Sequence, residues 1–291
     1  TIDLTDRLAV NGGLRWDHYN TDYDGNSSAT AAPLDLSKSG NLFTWKAGIL
    51  YRVAPNGNVY ANYGVSQQPP GGSNFALTAV SPTTNSANGV NLSPQKATTY
   101  EVGTKWEVFD KRLLVSAALF RTDIENNIQL QDDGTYAQTG KQRVEGVELG
   151  ATGMITDRWS VMAGYVYQNA TTADANSYNA EGGSTLAYTP RHALSLWTTY
   201  RVTPDLTVGG GARYVGVMSK GKDGATVTPV STDPYWVFDA MASYQLTKNL
   251  GLQLNVYNIF DKFYVASINK SGYRYTPGVS RSAVLTANIS F

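Results

Sequence analysis

Strict alternation of apolar and polar residues is the feature of this sequence that most constrains its fold. Every second residue from Ala283 to Phe291 is apolar, and Thr286, Asn288 and Ser290 lie between them, with Val284 alone out of phase. A period of two places neighbouring side chains on opposite faces of a strand, whereas an amphipathic helix has a period of about 3.6. The segment therefore predicts a β-strand with one apolar face and one polar face.

The same period recurs along the whole chain. A sheet of many such strands has an apolar face that needs a cover of lipid, which is typical of an antiparallel transmembrane β-barrel. We therefore predict an all-β fold of this class. The apolar face includes Leu14 and Trp16, Trp45 and Ile49, Tyr63 and Val65, Val102 and Trp106, Val161 and Tyr165, Val208 and Tyr214, Trp236 and Phe238, and Leu252 and Leu254. The inward charges are Arg15, Lys46, Glu101, Lys105, Glu107, Glu148, Arg213 and Asp239.

Composition agrees with a barrel and excludes other classes. Only 42% of the 291 residues are hydrophobic, and the mean hydropathy is −0.29. The sequence has no apolar run near the roughly 18 residues that a spanning helix needs. In a barrel wall, apolar residues alternate with polar ones, so a low mean hydropathy is expected. The 23 basic and 23 acidic residues balance, so nothing indicates a nucleic-acid partner.

The connections between the predicted strands are alternately short and long. Outer-membrane barrels have short turns on the periplasmic side and long loops outside the cell. We therefore predict about twelve strands with both ends periplasmic, and we interpret residues 1–6 as the remnant of one further turn. The short turns are predicted at residues 54–58, 110–112, 156–158, 203–205 and 247–249, and the long loops at residues 24–40, 68–96, 125–141, 171–191, 218–234 and 261–281.

Several segments resemble the carboxy-terminal barrel half of TonB-dependent siderophore receptors. They are LSPQKATTYEVGTKWEVFDKRLLVSAALFRTDIENN (92–127), RVEGVELG (143–150), YTPRHALSLWTTY (188–200), NLGLQLNVYNIFDKFY (249–264) and residues 275–291. With SQQPPGGSNFAL (66–77) and VASINKSGYRY (265–275), the chain is most similar to Fiu-type catecholate siderophore receptors. The resemblance implies a barrel of about 22 strands whose lumen holds an amino-terminal plug. The plug, the TonB-contacting box and roughly the first ten strands have no counterpart here, so residues 1–291 are interpreted as one transmembrane β-barrel domain.

The resemblance also implies a function. It indicates an outer-membrane receptor of a Gram-negative bacterium that imports ferric catecholate siderophores in a TonB-dependent manner. The implied partners are the ferric siderophore, outer-membrane lipid and lipopolysaccharide, and TonB, which would act only through the missing plug. Catechol oxygens would coordinate the iron, so no cofactor and no protein metal ligand is expected. The alternative is a truncated or engineered barrel without a plug, which would act as a passive pore or a structural β-barrel.

A ferric tris-catecholate is anionic and aromatic, so its receptor needs Arg or Lys together with aromatic rings. The long loops hold such a mixture, although each residue taken singly can also be a rim aromatic or a solvated charge. Arg274 is the first candidate because it lies between two tyrosines and offers charge and stacking together. The candidate ligand-binding residues are Gln67, Gln68, Asn74, Phe75, Tyr136, Arg143, Tyr178, Tyr188, Arg191, Tyr235, Trp236, Lys270, Tyr273, Arg274 and Tyr275.

The sequence does not indicate an enzyme. A Ser–His–acid hydrolase would need His18 or His192, the two histidines of the chain, with Ser195 or Ser27 in reach. Twelve-stranded outer-membrane hydrolases exist, but no segment matches their catalytic signatures. We therefore predict no catalytic residue.

Overall fold

The computed structural model describes residues 1–26, 32–70, 77, 89–130, 136–173, 185–221, 229–269 and 274–290, with the backbone alone at residues 128–130, 136, 137, 139 and 173. Within these residues, no helix is long and apolar enough to cross a membrane. The described strands are β1 (Ile2–Asp3), β2 (Leu8–Asn26), β3 (Pro33–Ala54), β4 (Gly57–Gln68), β5 (Gln95–Val108), β6 (Leu113–Leu130), β7 (Tyr136–Thr156), β8 (Trp159–Ala173), β9 (His192–Arg201), β10 (Leu206–Val215), β11 (Met218–Ser219), β12 (Ser231–Thr232), β13 (Tyr235–Gln245), β14 (Leu250–Tyr257), β15 (Val265–Ile268), β16 (Tyr275–Pro277) and β17 (Ser282–Ile289).

Thirteen of these strands form one sheet, in the order β1 to β10, then β13, β14 and β17. Each strand pairs antiparallel with its neighbour in this order. The two remaining pairs, β11–β12 and β15–β16, are separate hairpins inside long loops. The sheet is therefore an up-and-down meander, the topology of a membrane barrel wall.

The predicted number of strands is confirmed. The sheet contains twelve long strands besides the two-residue β1, which pairs with the start of β2 through Ile2 and Val10. The Thr5 side chain closes the turn between β1 and β2 by accepting a hydrogen bond from the Leu8 backbone N–H at 3.0 Å. Among the described pairings none joins β17 to β1 or β2, so this part of the chain forms a wall with two unpaired edges.

The register confirms that apolar side chains share one face. Leu14 pairs with Trp45, and Trp45 pairs with Val65, which gives a continuous apolar row across three strands. Leu14 is 77% exposed, and Leu119 and Leu285 are exposed to a similar extent. Side chains of this type fill the core of a water-soluble protein, so their exposure over many strands indicates a face that lipid covers.

The short turns were predicted correctly, but two long loops were not. Residues 24–40 and 125–141 were expected to be loops, whereas β2 and β3 pair as far as Asn26 and Pro33, and β6 and β7 as far as Leu130 and Tyr136. Both segments are rich in Gly, Asn, Asp and Ser, which favour turns, and apolar residues alternate in them only over short runs, as in Leu34 with Leu36 and Ile128 with Leu130. The turn-favouring composition therefore outweighed these short alternating runs in the prediction of loops.

Two other predicted long loops contain strands of their own. β11 and β12 pair within residues 218–234, and β15 and β16 pair within residues 261–281. Strands of two to four residues are too short to show a period, so alternation could not predict them.

The assignment of faces predicts how tryptophans respond to lipid. Trp197 pairs with Gly211 on the polar face, whereas Trp45 lies in the apolar row. In single-tryptophan variants reconstituted in liposomes, lipids with brominated acyl chains should quench Trp45 strongly and leave the emission of Trp197 unchanged. Equal quenching of the two residues by brominated lipid, or quenching of Trp45 by aqueous iodide, would contradict the assignment.

Candidate functional site

The segment after β14 folds back against the polar face of the sheet and is held by one buried side chain. Asn258 is 2% exposed, and its Nδ2 donates hydrogen bonds to the backbone oxygens of Lys262 and Val279, both at 2.9 Å. Its Oδ1 accepts from the Lys262 N–H at 2.9 Å, and its own N–H donates to Asp239 Oδ1 at 2.7 Å. Asn258 therefore ties both ends of this segment to β13.

This folding brings three residues together in what we call the Arg213 cluster, namely Arg213, Tyr235 and Tyr264. The Arg213 guanidinium lies 5.7 Å from the centre of the Tyr264 ring, and its Nη2 donates to the Tyr264 hydroxyl at 3.0 Å. The rings of Tyr235 and Tyr264 are 4.4 Å apart, and both residues are buried together with Val237. A cation and two aromatic rings are thus held in contact near the long-loop end of the wall.

The β15–β16 hairpin begins directly after Tyr264 of the Arg213 cluster. Its base is fixed where the Gly278 N–H donates to the Tyr264 backbone oxygen at 2.8 Å. The Arg274 N–H donates to Asn269 Oδ1 at 3.1 Å, and Tyr275 pairs with Ile268 and is 58% exposed. The hairpin therefore presents Arg274 and Tyr275 to solvent above the cluster.

Tyr235, Arg274 and Tyr275 are the predicted site residues that this segment brings into one structural unit. Arg213 and Tyr264 belong to the same unit but were absent from the predicted ligand set. Alternation did give Arg213 as an inward charge, and this was the signal that could have identified it. Tyr264 showed no such signal, because its position depends on the fold of the segment that follows β14.

Three predicted site residues lie on the opposite face of the wall, namely Trp236, Arg143 and Gln67. Trp236 packs against Tyr214, with ring centres 4.9 Å apart, and stacks on Phe238. Arg143 pairs with Asp123 and Thr171, in register with the apolar face. A step of one residue along a strand changes the face, so Trp236 and Arg143 are separated from Tyr235 and the Arg213 cluster.

Four predicted residues lie at the long-loop end without joining the Arg213 cluster. Tyr188 is 7% exposed, and its hydroxyl donates to the Pro229 backbone oxygen at 2.9 Å, which connects two loops. Arg191 lines a cavity of about 450 Å³. Gln67 pairs with Lys96 in register with the apolar face and accepts a hydrogen bond from the Phe43 N–H at 3.0 Å. Gln68 is the exposed last residue of β4.

The remaining predicted site residues cannot be placed in this arrangement. Tyr136 is the first residue of β7, where only the backbone is described. The others lie outside the described residues: they are Asn74, Phe75, Tyr178, Lys270 and Tyr273.

The two histidines have other contacts. His192 Nδ1 lies 2.8 Å from the Tyr165 hydroxyl, and His18 Nδ1 lies 3.0 Å from Asn41 Oδ1. His192 pairs with Tyr167 on the apolar face, whereas Ser195 pairs with Arg213 on the polar face, so they do not form a hydrolase pair. Ser27 lies outside the described residues. Within the described ranges, no group of three or more His, Cys, Asp or Glu residues could hold a metal ion.

A family model and a curated relative both match this chain, and the description of each names a receptor. The family model described as "TonB dependent receptor-like, beta-barrel" matches residues 1–259. The catecholate siderophore receptor Fiu of Escherichia coli strain K12 is 53% identical over 100% of this chain and 40% of its own length. The chain therefore spans about two fifths of this curated relative.

Solved structures of such receptors share the fold of this chain. The closed form of the ferric-catecholate import receptor Fiu from E. coli K12 matches 99% of this chain and 43% of its own with a TM-score of 0.89, at 54% identity. The siderophore receptor PiuA from Acinetobacter baumannii matches 99% of this chain and 41% of its own with a TM-score of 0.86, at 34% identity.

The contact between Gly278 and Tyr264 predicts a destabilising substitution. A Cβ atom at Gly278 would overlap the Tyr264 ring, whereas a Cβ at Gly164 would meet nothing within 4 Å. Gly278→Ala should therefore loosen residues 258–281 by about 1–3 kcal/mol, a typical cost of overpacking. Hydrogen–deuterium exchange in this segment should accelerate roughly tenfold, and Gly164→Ala should leave it unchanged. Identical exchange in the wild type and Gly278→Ala would show that the contact does not hold the segment.

Proposed function

Because the chain belongs to the TonB-dependent receptor β-barrel family, we propose that it supplies the ligand-binding wall of a receptor and transporter for ferric catecholate siderophores. The family places the chain in the outer membrane of a Gram-negative bacterium. Since the chain spans 40% of the relative Fiu, uptake is proposed for a protein of that relative's full length.

The observation that carries this proposal is the Arg213 cluster beneath the exposed Arg274 and Tyr275. A ferric catecholate is anionic, so guanidinium groups attract it with charge-assisted hydrogen bonds. Its catechol rings can also stack on tyrosines or receive a cation over their faces. The hairpin would meet the ligand first, and the cluster would contact it deeper in the lumen.

The iron needs no ligand from the protein under this proposal, because the catechol oxygens coordinate it. The ferric siderophore is therefore a transported substrate, and no resident cofactor is proposed. The curated relatives are described as receptors and transporters, and we propose that this chain likewise catalyses no reaction.

We further propose that residues 1–291 act as one barrel domain. Its proposed partners, besides the ferric siderophore, are outer-membrane lipid and lipopolysaccharide around the wall. TonB would act through the plug domain of a receptor of full length. The alternative of a plugless passive pore is less favoured, because the chain is 53% identical to a protein described as a siderophore receptor.

Replacement of Arg274 tests the recognition chemistry. In a receptor of full length, Arg274→Ala should raise the dissociation constant for a ferric catecholate roughly tenfold, because one contact worth ~1.4 kcal/mol is lost. Fluorescence quenching titration with a purified ferric tris-catecholate measures this change.

Lys248→Ala is the matched control, because this exposed cation lies in the short turn between β13 and β14, at the other end of the wall. Its affinity should equal that of the wild type. If Arg274→Ala also keeps wild-type affinity while inserting normally, Arg274 is an ordinary solvated charge.

A further inference from the structure

Two arginines on the apolar face share one carboxylate. Arg121 Nε donates to Asp123 Oδ2 at 2.9 Å, and Arg143 Nε donates to Asp123 Oδ1 at 2.6 Å. Within the described part of the chain, the Nη nitrogens of both arginines donate no hydrogen bond. Asp123 therefore holds two guanidinium groups side by side with their terminal nitrogens available.

These side chains belong to the face that lipid covers. Arg121 pairs directly with Tyr100, and Asp123 pairs with Thr98, in the register that also pairs Val102 with Leu119. Tyr100 and Leu119 are 48% and 61% exposed. The arginines thus lie immediately beyond an exposed apolar surface rather than inside the lumen.

Their depth along the strand matches the level of the lipid headgroups. A tilted barrel strand needs about 9–11 residues to cross the hydrocarbon region. Counted from Leu113 at the short-turn end, Arg121 and Asp123 are the ninth and eleventh residues of β6. Since the long loops lie outside the cell, this position corresponds to the outer leaflet.

The surroundings of the two arginines are of mixed charge with a positive excess. Glu145 pairs with Arg121 on the same face, and the ion pair of Lys96 and Glu125, at 4.0 Å, lies one step higher. Lys141 lies on the same face. This face therefore carries four cations (Lys96, Arg121, Lys141 and Arg143) and three anions (Asp123, Glu125 and Glu145) in this region. An anionic group can therefore approach without meeting a net negative surface.

We propose that Arg121 and Arg143, positioned by Asp123, bind a phosphate group in the headgroup of outer-leaflet lipopolysaccharide. Planar guanidinium groups bind phosphate oxygens with paired hydrogen bonds. The exposed apolar side chains directly below would contact the acyl chains of the same molecule, which a free phosphate ion cannot offer. This site gives the lipopolysaccharide partner named under the proposed function a location on the wall, and it rests on that part of the proposal alone, not on siderophore binding.

Lipid retention by the full-length receptor tests the site. The double variant Arg121→Gln/Arg143→Gln is compared with the wild type by native mass spectrometry after titration with diphosphorylated lipid A, and with the same lipid after removal of its phosphates. The double variant should bind diphosphorylated lipid A at least roughly tenfold more weakly. Both proteins should bind the dephosphorylated lipid equally, and excess inorganic phosphate should not displace lipid A.

The matched control removes two cations from the opposite face. Arg15→Gln/Lys46→Gln should bind diphosphorylated lipid A like the wild type, since both residues lie on the polar face. Equal binding of diphosphorylated lipid A by the wild type and Arg121→Gln/Arg143→Gln would overturn the proposal. Displacement by inorganic phosphate would also overturn it, in favour of a free-anion site. The affinity of Arg121→Gln/Arg143→Gln for ferric catecholate should be unchanged. A failure of the lipid A proposal can therefore be distinguished from a failure of the proposed siderophore binding.

Discussion

Every other property of this wall depends on the pairing of its backbone. In hydrocarbon no water is available, so each N–H and C=O group must bond within the protein. Twelve long strands meet this requirement by pairing in a continuous meander. Because side chains alternate along a strand, the same pairing gives one face to lipid and the other to the lumen. Exposed residues such as Leu14 and Leu285, which would promote aggregation in water, are therefore required on the lipid face.

The two faces divide the functions that we propose. On the lumen face, the segment after β14 folds back so that Tyr264 meets Arg213 and Tyr235, and the hairpin above presents further charge and aromatic surface. On the lipid face, Asp123 holds Arg121 and Arg143 where the apolar surface ends. Basic side chains thus serve different ligands according to the face they occupy, and the register decides this assignment.

Alternation was sufficient to predict the fold class, the number of strands and the short turns, because a period of two directly sets the face of each residue. It failed for residues 24–40 and 125–141, where apolar residues alternate only over short runs among Gly, Asn, Asp and Ser, which favour turns. Alternation also predicts the face of Trp236 correctly, since this residue belongs to an alternating apolar row and therefore faces lipid. Trp236 enters the ligand set through the aromatic composition of the nearby loop, but the structure places it on the face opposite the Arg213 cluster. The meeting of Arg213 with Tyr264 could not be predicted, because it depends on a segment that folds back 51 residues later.

The central claim is that adjacent residues of one strand face lipid and ligand respectively. The chain contains no cysteine, so single cysteines can be introduced at Ser195, which pairs with Arg213, and at its neighbour Leu194. Labelling by a hydrophilic maleimide should be measured on the full-length receptor in outer membranes, with and without ferric catecholate. Ser195→Cys should be labelled and the ligand should protect it, whereas Leu194→Cys should be unreactive in both conditions. Labelling of Leu194→Cys, or labelling of Ser195→Cys that the ligand does not change, would contradict the claim.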